Sequence, residues 1–419
     1  MKKNTSSDVS RRRFLKATAA GTALAAGALP VPSIAQSGPK EFKIGLIGCG
    51  GRGTGAANDA RNAGKITGDT VKIHAVADLF EDKVVPARKS FGVEDKNAFF
   101  GFDAFKKLLE VGCDYVILAT PPHFRAEHFE AAINAGKHVF TEKPVAVDPF
   151  GYRRFIAAGD MAKAKGLSVA AGTQRRHEKQ YMETQKRVAD GAIGDVVAGR
   201  CYWNQGGLWS REKEEGWSDT EWQIRNWLYF TWLSGDHIVE QHVHNLDVLN
   251  WFLGAHPVRA RGMGGRQVRT AQPKYGNIFD HFATELIYPK GVRVTSMCRQ
   301  IDGCWGDVSE FVVGTKGGTN CRNEIYGPSA WKFSGDQVDP YVQEHIDLQA
   351  SIKEGKGSLN EAKNVATSTM TAILARTACY TGKEIAWDDL VQSNERLGPE
   401  KYEFGPMAIP AIARPGNAM

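Results

Sequence analysis

Lys43-Ile44-Gly45-Leu46-Ile47-Gly48-Cys49-Gly50-Gly51-Arg52-Gly53 constrains this chain more than any other stretch. A short apolar run feeds directly into Gly-x-Gly-x-x-Gly, an order that predicts a strand, a tight turn and a helix. Gly48 permits the turn, Gly50 lets the backbone approach a pyrophosphate, and Gly53 lets the helix pack close to the strand. The helix then aims unpaired N–H groups at phosphate charge. A second apolar run, Val71–Ala77, ends in Asp78. An acid there is placed to accept hydrogen bonds from a ribose 2′- or 3′-hydroxyl. These features predict a nicotinamide-dinucleotide site formed by Gly48, Cys49, Gly50, Gly51, Arg52, Gly53 and Asp78. Asp78 favours NAD over NADP, because a 2′-phosphate would meet a like charge. Arg52 lies near enough in sequence to weaken that preference, so NADP stays open.

The rhythm that follows is β-α-β. Tyr115–Thr120 is a continuous apolar run, as a buried parallel strand should be. Pro121-Pro122-His123 stops it, and a helix is predicted from about Phe124 to Ala135. His138–Pro144 reads as a strand and its exit, 149–165 as a helix, and Leu167–Gly172 as a further strand. Alternating strands and helices imply a doubly wound parallel sheet, whose ligands sit beyond the carboxyl ends of the strands. Gly48–Gly53, Asp78, Thr120, Pro121, Pro122, His123, Glu142 and Lys143 then share one rim.

After Gly172 the pattern changes to consecutive strands, near residues 193–203, 258–263, 281–288, 292–299 and 310–314, and a helix from about Asn360 to Thr381 closes the unit. The expected fold class is α/β: an N-terminal Rossmann domain over 41–172, then an α+β domain over 173–400 with a large, mostly antiparallel open sheet, and a tail over 401–419. With 419 residues, 42% of them hydrophobic, the chain can bury two cores.

Residues 1–35 read as an export signal. Ser10-Arg11-Arg12-Arg13-Phe14-Leu15-Lys16 precedes an apolar run rich in Ala, Gly and Thr, with cleavage expected after Ala35. This predicts passage through the twin-arginine translocase, which carries folded proteins, and a periplasmic location. The apolar run is too short and too rich in small residues for a stable membrane anchor. A periplasm offers no obvious pool of free nicotinamide cofactor, so the dinucleotide is expected to travel tightly held. The formal charge of +6 belongs mostly to this segment, which carries six Lys and Arg and one acid, and the remainder is near neutral. Nothing there points to nucleic acid as a partner. The seven cysteines include no Cys-x-x-Cys pair; Cys298 and Cys304 could pair in an oxidising compartment, and the rest are expected as buried thiols.

Two segments carry chemistry. Lys143, at a strand exit on the rim, can hydrogen-bond a substrate hydroxyl and favour its alkoxide-like form. In Asp236–Trp251, a helical stripe of Val243, Leu246, Val248 and Leu249 places Glu240, His244 and Asp247 on one face. A neutral imidazole beside a carboxylate can accept a hydroxyl proton. The same face could instead pack between domains. A metal held by Glu240 and His244, with His237 and His242 nearby, is a rival that Lys143 disfavours by repulsion, so no metal is expected. Six of ten tryptophans lie between Trp203 and Trp232 at irregular spacing. Their faces suit sugar rings, and equally a core or a subunit contact.

The combination resembles the glucose–fructose oxidoreductase / inositol dehydrogenase / MocA family. The resemblance is carried by the Gly48–Gly53 loop, Thr120-Pro121-Pro122-His123, Glu142-Lys143-Pro144, Gly172-Thr173-Gln174-Arg175-Arg176-His177, and His244-Asn245-Leu246-Asp247 followed by Trp251-Phe252-Leu253-Gly254. It implies a Rossmann domain followed by an α/β domain whose open sheet often forms oligomer contacts. It implies that Lys143 and His244 work on a sugar or cyclitol hydroxyl with Asp247 beside them, and that Gln174 joins the cofactor contacts. Glu240, Asp247 and Arg176 would orient neighbouring hydroxyls. The family's Asp-x-Gly-x-His reads here as Glu240-Gln241-His242-Val243-His244, so His242 either contacts substrate or packs behind His244.

The expected activity is hydride transfer between a sugar, glycoside or cyclitol hydroxyl and a tightly held NAD. The alternatives are a glycoside-cleaving enzyme working by transient oxidation and elimination, and a non-catalytic dinucleotide or sugar sensor.

Overall fold

A computed structural model describes residues 38–270 and 272–416. The export signal read over residues 1–35 lies outside the described residues.

The first sheet has six strands: β1 (Glu41–Ile47), β2 (Thr70–Asp78), β3 (Ala98–Phe100), β4 (Tyr115–Leu118), β5 (His138–Thr141) and β6 (Val169–Ala171). All pair in parallel, in the order β3-β2-β1-β4-β5-β6. Every residue of β4 is buried, as a strand covered on both faces requires. One face is packed by the helices Pro122–Asn134 and Pro149–Ala164, where Phe129 stacks on Phe155 with ring centroids 4.1 Å apart. The other face takes the helix Gly51–Thr67 through Ala56, Ala57 and Ala60.

That second face holds a departure from the sequence reading. The helix Pro340–Glu354 falls within the span read as the second domain, yet Leu348 and Ile352 pack with Phe42 and Ile44 of β1. The chain returns to finish the first domain because the helices Gly51–Thr67 and Glu81–Phe91 leave apolar sheet surface on this face uncovered.

The second sheet has nine strands in the order β14-β13-β12-β11-β7-β10-β9-β8-β15. They are β7 (Val196–Gln205), β8 (Arg259–Gly265), β9 (His281–Ile287), β10 (Arg293–Gln300), β11 (Asp307–Gly314), β12 (Gly317–Thr319), β13 (Glu324–Tyr326), β14 (Trp331–Lys332) and β15 (Ile385–Ala386). Only β7 and β10 pair in parallel; the other pairs are antiparallel. Burial alternates along β9 and β10, so one face is packed and the other open. Met263, Met297 and Val308 are exposed. The helix Ala362–Thr381 lies against β8, β9 and the helix Pro149–Ala164, and so bridges the two halves. All seven cysteines are free. Cys298 is buried and Cys304 exposed, so the suggested pairing of these two does not form.

The stretch around His244 is not one helix. His237–Glu240 and Val243–Leu253 are separate helices, with Gln241 and His242 between them. Glu240 therefore does not continue the face that carries His244 and Asp247. Two buried groups hold this break. Asp236 stands at φ 77, a conformation costly for a non-glycine residue. Its carboxylate accepts from the backbone N–H of His237 at 2.6 Å, from that of Phe279 at 2.8 Å, and from the Tyr380 hydroxyl at 2.5 Å. His242 is fully buried, with Nε2 hydrogen-bonded to Ser296 Oγ at 2.7 Å. Burial pushes its pKa down to about 3, so the ring stays neutral.

Two outcomes follow from these anchors. Asp236→Ala leaves the Phe279 N–H buried without an acceptor and the Tyr380 hydroxyl with Thr231 Oγ1 at 3.2 Å alone, a loss of about 2 kcal/mol; an unchanged urea midpoint would show that the carboxylate does not pin the break. For His242, the unfolded chain binds a proton below about pH 6.5 that the folded chain refuses, so this residue makes stability fall as pH drops from about 6.5 toward its folded value. Glu344, whose carboxyl burial pushes up, titrates in the opposite sense, so the readout is a difference. Between pH 6.5 and 5, His242→Gln should reduce the acid slope of stability by up to ~1.4 kcal/mol per pH unit relative to the parent. Parallel slopes for the two proteins would refute it.

Candidate active site

The rim begins where β1 ends. Gly48 has φ 100 and donates its N–H to Ala77 O at 2.8 Å. A Cβ on Gly53 would sit 1.8 Å from Gly48 O, so only glycine lets the helix start this close to the turn. Gly50 and Gly51 have nothing within 4 Å of where a side chain would project. A bare backbone faces open space at the N-terminus of the helix Gly51–Thr67.

A cavity of about 520 Å³ opens beside this loop. Its walls include Gly48, Gly50, Gly51, Arg52, Gly53, Asp78, Thr120 and Pro121, with Leu79, Phe80, Phe102 and Phe124. Asp78 Oδ2 accepts the Cys49 N–H at 2.7 Å and Oδ1 the Phe80 N–H at 3.0 Å, while burial pushes its carboxyl up. The open cradle, the acid at the end of β2 and the apolar wall beyond it fit a nicotinamide dinucleotide.

Other rim residues stand differently from their sequence reading. Arg52 turns toward the β5 side, where its guanidinium pairs with Glu142, lies 3.6 Å from Glu344 and covers the Tyr341 ring. It does not stand beside Asp78 to soften that charge. Gln174 reaches the same group, donating to the Tyr341 hydroxyl at 3.2 Å. Pro122 is buried as the first residue of its helix. His123 Nε2 meets the Tyr402 hydroxyl at 2.8 Å and its ring packs on Trp232, so it serves the C-terminal segment rather than the cavity.

Lys143 and Glu240 meet outside the lining of that cavity, with His244 near enough to feel the Lys143 charge. Lys143 Nζ donates to the Glu240 carbonyl at 2.6 Å and to Glu240 Oε1 at 3.0 Å. His244 lies against Trp203, ring centroids 5.7 Å apart and planes 24° from parallel. Its pKa is driven well below the ordinary imidazole value by burial, then by repulsion from Lys143, Arg175 and Arg52. A neutral ring is the form that can accept a proton. Its nitrogens are not sealed in without a partner.

Asp247 and Arg176 were read as groups that orient substrate, but they hold each other. Arg176 Nε donates to Asp247 Oδ2 at 2.8 Å and its NH2 group to Oδ1 at 3.0 Å, and the Ser368 hydroxyl adds 2.7 Å. A bidentate pair of this kind satisfies both charges and buttresses the His244 helix. His242 lies behind His244 against the sheet, not in contact range of a substrate.

The sequence reading missed Arg175. It pairs with buried Glu310 and lies 5.8 Å over the Trp203 ring. A glutamate one turn of the pleat from Val308 and Val312 in the strand Asp307–Gly314 was the available signal. His177 is another: burial opposes its charge, but Glu361 and Asp347, the latter 2.6 Å away, raise it to about 10. Of the readings given for the tryptophans, the core reading holds for two. Trp222 and Trp232 are core, Trp203 supports His244, and Trp209 and Trp227 line the cavity. Among the described residues no group of three or more His, Cys, Asp or Glu side chains could hold a metal ion.

Comparison with known proteins agrees with this architecture. The model described as the oxidoreductase family with an NAD-binding Rossmann fold, GFO_IDH_MocA, matches residues 42–173, and the GFO/IDH/MocA C-terminal domain matches residues 181–320. The chain is 27% identical to 2,7-anhydro-N-acetylneuraminate hydratase of Escherichia coli over 49% of this chain and 50% of that protein. It is 22% identical to scyllo-inositol 2-dehydrogenase (NAD(+)) of Bacillus subtilis over 59% and 65%. It thus spans about half to two thirds of the length of these relatives. The fold also matches scyllo-inositol dehydrogenase from Lactobacillus casei, solved with NAD(H) and scyllo-inositol, at TM-score 0.64 and 20% identity over 83% of this chain and 99% of that one. With both family models matched in order along one Rossmann sheet and one open sheet, the chain belongs to the Gfo/Idh/MocA family of NAD-binding oxidoreductases.

Proposed function

We propose that this protein oxidises a secondary hydroxyl of a sugar, glycoside or cyclitol. The observation that carries the reading is an ammonium, Lys143, held by Glu240 beyond the strand ends of a dinucleotide-binding sheet, with a buried imidazole, His244, near enough for its charge to be repelled by Lys143. The Gly48–Gly53 backbone and Asp78 would hold the dinucleotide, which supplies a two-electron acceptor when bound. His244 takes the hydroxyl proton. Lys143, held by Glu240, stabilises the alkoxide-like oxygen as the carbonyl forms. Glu240 acts as a positioning residue for Lys143. Relatives named as inositol dehydrogenases support a cyclitol or sugar as substrate.

A second reading keeps the same residues. Transient oxidation, elimination and re-reduction would cleave or rearrange a glycoside without net oxidation, and a relative named as an anhydro-sugar hydratase favours keeping it. We further propose periplasmic residence after twin-arginine export, on the strength of Ser10–Lys16, and a homo-oligomer formed through the open face of the second sheet, where Met263, Met297 and Val308 are exposed. No helix among the described residues is long and apolar enough to cross a membrane.

Native mass spectrometry of the purified protein, then a sugar and cyclitol panel followed by NADH fluorescence, tests the activity. Lys143→Ala and His244→Ala should each cut turnover about 10²- to 10⁴-fold on the substrate found. Unchanged turnover in both would refute the roles assigned. A free keto-sugar supports the dehydrogenase, and a cleaved glycoside without net NADH supports the second reading. In cell fractions, Arg11→Lys with Arg12→Lys should hold the protein in the cytoplasm; undiminished export would remove the twin-arginine route.

A further inference from the structure

Resting on the dinucleotide reading above, we propose that residues 206–227 form a roof over the adenosine end of the cofactor, with Trp209 and Trp227 supplying its aromatic surface. The roof makes the dinucleotide a slowly released, captive group.

The placement follows from strand order. β2, β1, β4 and β5 are neighbours in that sequence, so Asp78, the Gly48–Gly53 loop and Lys143 mark successive positions along the rim. The pyrophosphate belongs at the glycine loop, and the reacting end belongs with Lys143 and His244 on the β5 side. The cavity extends to the β2 side, where Leu79, Phe80 and Phe102 line it, and the adenosine is the part of the cofactor left to fill it. The first domain makes only part of this cavity. Trp209, Arg211, Ile224, Arg225 and Trp227 close it from the second half of the chain.

Those residues are held firmly. Trp209 and Trp227 meet edge to face, centroids 6.4 Å apart. The Trp222 indole donates to Arg211 O at 2.9 Å, Arg211 N–H to Asn226 Oδ1 at 2.8 Å, and the Tyr229 hydroxyl to Leu208 O at 2.8 Å. Arg225 clamps the roof to the first domain: it binds Asp82 at 2.9 and 3.2 Å and lies 3.8 Å over the Phe80 ring. The C-terminal segment adds a second tie. Phe404 packs on Phe102 and Phe80, centroids 5.1 and 6.1 Å away, while Thr220 N–H donates to Gly405 O at 3.2 Å. Trp209 nevertheless remains 48% exposed beside the cavity, an apolar surface that a flat purine would cover.

Purified protein loaded with NADH and chased with excess NAD reports the release rate through NADH's own fluorescence. Trp209→Ala and Trp227→Ala should each speed release about ten- to hundredfold, the range expected for loss of one base–aromatic stack. Trp209→Phe should restore most of the retention, which separates stacking from misfolding. Reduced nicotinamide mononucleotide, which lacks the adenosine, should leave parent and variants at the same rate. Equal NADH release from parent and Trp209→Ala would overturn the roof while leaving the dinucleotide site in place. A variant that keeps NADH but loses sugar binding would overturn it in favour of a carbohydrate platform. A parent that binds no NADH would remove both the roof and the reading it rests on.

Discussion

Lys143 ties the two halves of the site together because one residue, Glu240, offers it both a backbone carbonyl and a carboxylate. A mostly buried ammonium has to be compensated, and a single flexible carboxylate would leave it free to swing. Two acceptors on one residue fix its direction. Glu240 can present both only because the helix stops there. Had His237–Glu240 run on into Val243–Leu253, the Glu240 carbonyl would have been spent on an intrahelical bond. The break at Gln241 and His242 is therefore part of how the ammonium is held, and buried Asp236 and His242, with half-buried Gln241, hold the break in turn. Gln241 Oε1 accepts from Gln205 at 3.0 Å and from Gln300 at 2.7 Å, so strands β7 and β10 fix it from below.

Around this link the charges are matched in pairs. Arg52 is answered by Glu142, Arg175 by Glu310 and Arg176 by Asp247. Each guanidinium keeps its charge and sits still, which leaves His244 as the uncharged member of a cationic neighbourhood. Burial first, then repulsion from Lys143, Arg175 and Arg52, favours the base form of that imidazole before substrate arrives. The same field would favour negative charge on a hydroxyl oxygen losing its proton nearby. One arrangement serves both needs, which is why the ion pairs flank the site rather than enter it.

What could be read along the chain was what depends on neighbours in sequence. Gly48–Gly53, Asp78 and the strand ends were legible because a turn, a strand and a helix start are local events. The strands near residues 281–288 and 292–299 were legible for the same reason. What failed depends on partners far away. Arg176 and Asp247 look like two groups free to bind hydroxyls until the fold puts them face to face, 71 residues apart. His242 resembles a site residue by position alone, and its partner Ser296 is on a strand that spacing cannot bring near. Helical periodicity placed Glu240 with His244 and Asp247 because the stripe of apolar residues continues past the break. Only the amide donors from β7 and β10, Gln205 and Gln300, reveal that the backbone turns there. Pro340–Glu354 carries an apolar stripe that fits either domain, and the uncovered face of β1 decides between them.

The tryptophans illustrate the same limit from the other direction. Their irregular spacing offered no helical or strand period, and for that reason they could be read as core or as binding surface. Irregular spacing is what a roof built from a loop and short helical turns must have, since no repeating backbone sets the side-chain directions. Trp222 is spent on holding Arg211 O, Trp217 on Arg225, and Trp232 on the core around Phe124, so only Trp209 and Trp227 are left to face the cavity. A segment that lays most of its aromatic residues into its own support and leaves two over an open volume is shaped by that volume. Because Arg225 and Phe404 both pack on Phe80, opening the cavity would break several contacts at once.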